Sequence, residues 1–246
     1  MAGKIHTDNK VAIKSGDVTI PGFFCRPSGS GPFPALIFFH GTDGFQPTHR
    51  KLARELAHEG YAVLVPEWFG GKLPRRLSWD MLPPADLRTL GLWIRKLQEV
   101  DGRRLGLMGA SRGGGLALYA GSVIPEVRAI VNYFGLTSWP GGMESFCRLP
   151  LNPDNHLDFL QKIVCPILSF HGDRDTIVGV ENTFLLDQTC QRFGIEHHYT
   201  IYPGVDHSFI WSGNPRYNRD AHRDCWIKTL DFLKTQLSGL HFQDIL

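Results

Sequence analysis

Short runs of β-branched and aromatic residues alternate along the chain with longer segments whose apolar positions recur at helical spacing. Val11–Lys14 and Val18–Cys25 read as two antiparallel strands turned at Ser15, Gly16 and Asp17. Ala35–His40 is a continuous apolar run, the pattern of a strand covered on both faces. Thr48–His58 follows as an amphipathic helix stopped by Gly60. The same beat then gives strand Tyr61–Val65, helix Ala85–Gln98, strand Arg104–Met108 and a helix ending near Ala120. Strands Val127–Phe134 and Ile167–Phe170, helix Val180–Arg192, strand His197–Tyr202 and a closing helix Ala221–Gln236 complete it. Such alternation places parallel strands in one sheet, joined by right-handed crossovers. The pattern therefore predicts an α/β fold in a single domain over residues 1–246, a mostly parallel open sheet with helices on both faces. Gly135–Lys162 is irregular and rich in Pro and Gly, long enough for a small cap and too short for a large lid domain.

Composition narrows the classes. A chain of 246 residues should bury roughly 70–75% of its unfolded surface, so the core needs neither disulfide nor structural metal. Lys and Arg number 26 against 24 Asp and Glu, a balance that suggests neither nucleic acid nor an anionic membrane as partner. The five cysteines form no C-x-x-C pair and no Cys/His cluster with zinc spacing, and read as reduced thiols. His197 and His198 point to opposite faces of a strand and cannot share a metal. The polar first ten residues hold no apolar run of a signal peptide, and no stretch is apolar for about 18 residues. The expectation is a cytoplasmic protein, monomer or homodimer, with no cofactor.

Chemistry is concentrated at strand ends. Gly109-Ala110-Ser111-Arg112-Gly113 is a G-x-S-x-G between a predicted strand and a predicted helix. A serine on that sharp turn is pushed clear of the sheet, and the small flanking residues let the two backbone arms pass closely. A serine hydroxyl needs an adjacent base, itself oriented by a carboxylate. On this fold both must come later in the chain, acid first. Asp175 and Asp173 follow Ile167–Phe170, and Asp175 is preferred because Asp173, next to Gly172, suits a turn cap. His207 follows His197–Tyr202 on the last strand-end loop, whereas His171 precedes the acid. The loop His40-Gly41-Thr42-Asp43-Gly44 nominates the amide of Thr42, with that of Arg112, as donors to an oxyanion. His40 is expected to orient that loop by hydrogen bonding.

The loop HGTDGF, the strand YAVLVPEWFGG, the elbow LGLMGASRGGG, and the segments HGDRDTIV and YPGVDHSF together resemble the dienelactone hydrolase family of the α/β-hydrolase fold. The resemblance covers nearly the whole chain and implies Ser111 as nucleophile, Asp175 as acid and His207 as base. Two features depart from the family. Members that open dienelactones usually carry cysteine at the elbow, and their carboxylate-binding arginines are matched here by Gly71 and Trp211. Lys72, Arg75 and Arg76 stand near the first in a different register.

The aromatic residues expected around the mouth are Trp68, Phe69, Trp139 and Trp211, with Phe45 and Phe209 beside them, and they suit an apolar or aromatic substrate. These readings converge on a serine hydrolase that cleaves a small carboxylic ester or lactone through an acyl-enzyme. The rivals are an acyl-CoA thioesterase or acyltransferase, for which Lys72, Arg75 and Arg76 would bind phosphates, and a hydrolase-fold binding protein with little turnover. A peptidase is less expected, since related peptidases carry an extra domain that restricts entry.

Overall fold

The computed structural model describes residues 6–68, 82–137 and 157–238. Eight strands form one sheet: β1 (His6–Ser15), β2 (Val18–Pro27), β3 (Phe33–Phe39), β4 (Ala62–Pro66), β5 (Val100–Ala110), β6 (Val127–Tyr133), β7 (Ile167–Gly172) and β8 (His197–Tyr202). Their spatial order is β1-β2-β4-β3-β5-β6-β7-β8. β1 pairs antiparallel with β2 and β2 with β4, while every pairing from β4 to β8 is parallel. Among the described residues five α-helices accompany the sheet: α1 (Pro47–His58), α2 (Pro84–Arg95), α3 (Arg112–Val123) and α4 (Glu181–Phe193) between strands, and α5 (Arg219–Gln236) after the last strand.

The continuous apolar strands are explained by burial on two faces. Along β3, Ala35, Ile37 and Phe39 enter a core with residues of α2, α3 and α4, while Leu36 and Phe38 enter a second core with α1 and α5. Period-two alternation thus feeds both layers from one strand. β1 and β5 begin earlier than the apolar pattern indicates. β1 reaches back to His6 because the full hairpin register to β2 pairs His6 with Pro27. β5 reaches back to Val100, which pairs with Phe33 beyond an irregularity in the ladder. Asp158–Lys162, expected as irregular, forms a short 3₁₀ turn against α3. The remainder of the proposed cap, residues 138–156, lies outside the described residues. Among the described residues no helix is long and apolar enough to cross a membrane.

Candidate active site

The C-terminal ends of β5, β7 and β8 bring together the three residues nominated from sequence. Ser111 stands between β5 and α3 with φ 56° and ψ −125°. Its amide donates to the Tyr133 carbonyl (2.9 Å), and its carbonyl accepts from the amides of Gly114 (2.9 Å) and Leu136 (3.0 Å). The flanking glycines are required by space. A Cβ on Gly109 would collide with the Gly113 carbonyl, and one on Gly113 with the Phe39 carbonyl.

His207 Nε2 lies 3.0 Å from Ser111 Oγ, and His207 Nδ1 lies 2.6 Å from Asp175 Oδ2. The other oxygen of Asp175, Oδ1, accepts the amides of Ile177 (2.9 Å) and Val178 (2.7 Å). The carboxylate is fully buried, and burial alone would raise its pKa. Hydrogen bonds from His171 and His207, the charge of His207 and the Val178 amide outweigh that penalty and hold it below the usual carboxylate range. His171, set aside in the sequence because it precedes the acid, is nevertheless a partner of it. Its ring is fully buried, with Nε2 3.3 Å from Asp175 Oδ2 and 2.7 Å from the Val178 carbonyl, and Nδ1 2.8 Å from Thr183 Oγ1.

Two further aspartates lock the acid and histidine loops together. Asp206 Oδ1 accepts the amides of His207 (2.7 Å) and Thr176 (3.0 Å), and Oδ2 accepts Arg216 Nε (2.8 Å). Asp173 Oδ1 accepts the Gly204 amide (2.6 Å), the capping role its position next to Gly172 suggested. Asp206 escaped the sequence reading because its partners are 30 residues away in Thr176 and 10 away in Arg216. Among the described residues, the non-glycine positions with left-handed φ are Ser111, Phe134 and Ser208. Ser111 bonds to the His207 ring, Phe134 packs edge-on against it at 4.7 Å, and Ser208 follows it in the chain. Local strain is therefore gathered at one point, as it is at many functional sites.

The loop after β3 passes over the serine: a Cβ on Gly41 would sit 3.4 Å from Ser111 Cβ and 3.3 Å from Asp43 Oδ1. Thr42 is exposed on this loop, and Arg112 directly follows Ser111 at the start of α3. Desolvation raises the Asp43 carboxyl above its ordinary value, opposed by its own backbone amide and by the field of His207. His40 bonds through Nδ1 to the Gly41 carbonyl (2.9 Å) and is fully buried. Its ring stacks between His49 (5.5 Å) and Trp68 (5.5 Å).

The aromatic residues divide. Trp68 is not open at the mouth as expected: it is buried beneath the loop, with Nε1 donating to the His40 carbonyl (3.2 Å). Phe209 likewise belongs to the core, edge-on to Phe134 and Tyr202. Trp211 is partly buried and meets His49 and Phe38 edge-on at 5.2 and 6.2 Å. Phe45 packs against His40 and His49, with ring centroids 6.4 and 6.1 Å away. Phe69 and Trp139 lie outside the described residues, as do Gly71, Lys72, Arg75 and Arg76.

Sheet order, strand-end elbow and later acid and histidine loops define an α/β-hydrolase-fold protein. The chain belongs to the dienelactone hydrolase family, whose profile matches residues 20–237. It is similar to a Synechocystis sp. protein named "Putative carboxymethylenebutenolidase", 24% identical over 92% of this chain and 96% of the other. It is also similar to a Bradyrhizobium sp. protein named "Probable 2-oxo-3-(5-oxofuran-2-ylidene)propanoate lactonase", 24% identical over 88% and 90%. Among solved structures, dienelactone hydrolase from Anabaena variabilis superposes with a TM-score of 0.71 at 20% identity, covering 95% of this chain and 99% of that one. Acylaminoacyl peptidase from Pyrococcus horikoshii superposes with a TM-score of 0.77 at 18% identity, over 98% of this chain and 44% of that one.

Proposed function

We propose that this hydrolase cleaves a small, uncharged carboxylic ester or lactone through a serine acyl-enzyme. The observation that carries the reading is the unbroken hydrogen-bonded chain from Ser111 Oγ through His207 to Asp175. Ser111 Oγ attacks the carbonyl carbon as its proton passes to His207 Nε2. The buried, ionised Asp175 holds His207 Nδ1–H and stabilises the imidazolium. The amides of Thr42 and Arg112 receive the oxyanion, each such donor contributing about 2.7–4 kcal/mol to the transition state. The tetrahedral adduct collapses as the leaving oxygen takes the proton from His207 Nε2, giving the acyl-enzyme. His207 then removes a proton from water, the hydroxide attacks the acyl carbon, and Ser111 leaves as the free hydroxyl.

Two features favour an uncharged acyl group. The Asp43 carboxylate borders the elbow, where an anionic substrate would meet a like charge. The positions of the family's carboxylate-binding arginines hold Gly71 and Trp211. In this reading Trp211 supplies apolar surface for the acyl or alcohol group, the role the sequence also nominates for Phe69 and Trp139.

The test is a substrate panel assayed with wild type and Ser111→Ala: p-nitrophenyl esters of rising chain length, an aryl ester, a neutral lactone, dienelactone and an acyl-CoA. Serine-dependent turnover highest on a neutral ester or lactone supports the proposal. A maximum on dienelactone or acyl-CoA overturns the substrate class, and turnover unaffected by Ser111→Ala overturns the mechanism.

A further inference from the structure

A second cluster of chemically capable side chains lies on the hairpin of β1 and β2. Asp8 and Cys25 are directly paired across the two strands, and His6 is two residues from Asp8, so all three side chains share one face. That face packs on α1, where Arg54 and His58, one helical turn apart, lie above it. One ligand atom each from His6, Asp8 and Cys25 falls within 4.8 Å of the other two. His6 Nε2 is 3.6 Å from Asp8 Oδ2. Donor atoms of a tetrahedral ion with bonds of about 2.0–2.3 Å stand roughly 3.3–3.8 Å apart, so modest inward movement closes the set.

The fourth residue supplies the orientation. His6 Nδ1 is 3.0 Å from His58 Nε2. With the proton on His6 Nδ1 and donated to His58, His6 Nε2 carries the free lone pair on the side of the carboxylate and thiol. A metal-binding histidine is characteristically fixed in this way through its other nitrogen. His6 borders two surface cavities of about 670 and 870 Å³ and Asp8 borders the larger, so an ion would enter from their side toward the buried Cys25.

We propose that His6, Asp8 and Cys25 bind a divalent zinc-class ion, with His58 orienting His6 and water completing the shell. Imidazole, carboxylate and thiolate together select this borderline-soft class over magnesium or calcium. Cys25 enters as thiolate and its proton leaves to solvent. Without the ion, burial first and Asp8 second keep the thiol at a pKa of about 12. Arg54 Nε now lies 2.7 Å from Asp8 Oδ2 and competes with the ion for that carboxylate. Bound there, the ion would pin the first strand to the second.

Co²⁺ is the probe, titrated into full-length protein free of any affinity tag and followed by absorbance. The expected result is one saturable equivalent with a thiolate-to-cobalt charge-transfer band and the intense visible bands of four-coordinate Co²⁺. His6→Ala and Asp8→Asn should each weaken binding at least about tenfold, and His58→Ala about 10–100-fold. Cys25→Ser should abolish the charge-transfer band. Arg54→Gln should tighten binding several-fold, an effect that general damage to the fold would not produce. Circular dichroism confirms folding of each variant. His6 and Asp8 are partly exposed, so their variants decide the matter if Cys25→Ser does not fold. Absence of saturable binding, a charge-transfer band that persists in Cys25→Ser, or unchanged affinity in His6→Ala and Asp8→Asn overturns the proposal. None of these readouts depends on hydrolytic activity.

Discussion

His171 and His207 converge on the same oxygen of Asp175, at 3.3 and 2.6 Å. His207 reaches Ser111 and His171 does not; on the proposed mechanism His171 is a positioning residue, its ring also tying the loop to Thr183 and to the Val178 carbonyl. Replacing it with alanine strands buried polar partners and loosens the acid. We expect His171→Ala to cost about 1–3 kcal/mol in urea unfolding. Its kcat should fall roughly 10–100-fold with KM little changed. His171→Gln, able to keep one of these bonds, should recover part of both losses.

Ser111→Gly separates stability from turnover. Ser111 holds a backbone conformation at φ 56° that glycine adopts without penalty. The variant should gain about 1 kcal/mol in stability. It should also lose at least about 10⁴-fold in kcat/KM. A loss of stability in calorimetry would show that the elbow is not strained.

Acid should destabilise the protein through two kinds of group, the second acting mainly at lower pH. Burial lowers His40 from 6.5 to about 4; burial, with the nearby His40 second, lowers His49 from 6.5 to about 3. Both are neutral when folded and bind protons more readily when unfolded, so their contribution is complete above pH 6.5 and is lost as pH falls toward those folded values. Asp175 has the opposite chemistry and a lower window. Its depressed carboxyl contributes fully above its unfolded value of 3.8 and loses that contribution only below it. Thermal midpoints measured from pH 8 to 3 should begin to fall near 6.5, and His49→Phe should flatten the upper part of that fall.

Asp206→Ala removes the bonds that hold the histidine loop to the acid loop. The expected outcome is a kcat reduced about tenfold, with Ser111 still acylated by a fluorophosphonate at a correspondingly lower rate. Arg216→Gln, which removes only the outermost of these contacts, should have the smaller effect.

Asp43→Asn tests the charge at the mouth. Relative to wild type, its kcat/KM for an anionic lactone should rise several-fold against that for a neutral aryl acetate. An unchanged ratio would remove Asp43 from substrate discrimination.

The features legible in sequence were those encoded locally. Ala35–His40 announced a doubly covered strand because its apolar positions are contiguous, and Ser111 was conspicuous because the elbow needs its glycines within two residues. Asp175 and His207 could be ranked because chain order limits which strand-end loops reach the serine. Contacts closed only by tertiary folding were not legible. His171 lies four residues from Asp175, yet nothing in the spacing reveals that its ring turns inward. Trp68 illustrates the opposite error, since its place after a strand suggested the mouth while its indole N–H finds a buried carbonyl. The pairing of Asp8 with Cys25 is likewise set by hairpin register, which the polar start of β1 conceals.

The backbone of Ser111 is held by Tyr133, Gly114 and Leu136 entirely through main-chain groups. Those three bonds do not depend on which side chain occupies the position. The elbow is thus a socket that fixes direction and leaves the attacking atom interchangeable. On the proposed mechanism, replacing oxygen by sulfur there would exchange the nucleophile while preserving the frame that aims it. Relatives built on this frame can diverge in reactivity through one side chain without rebuilding their architecture.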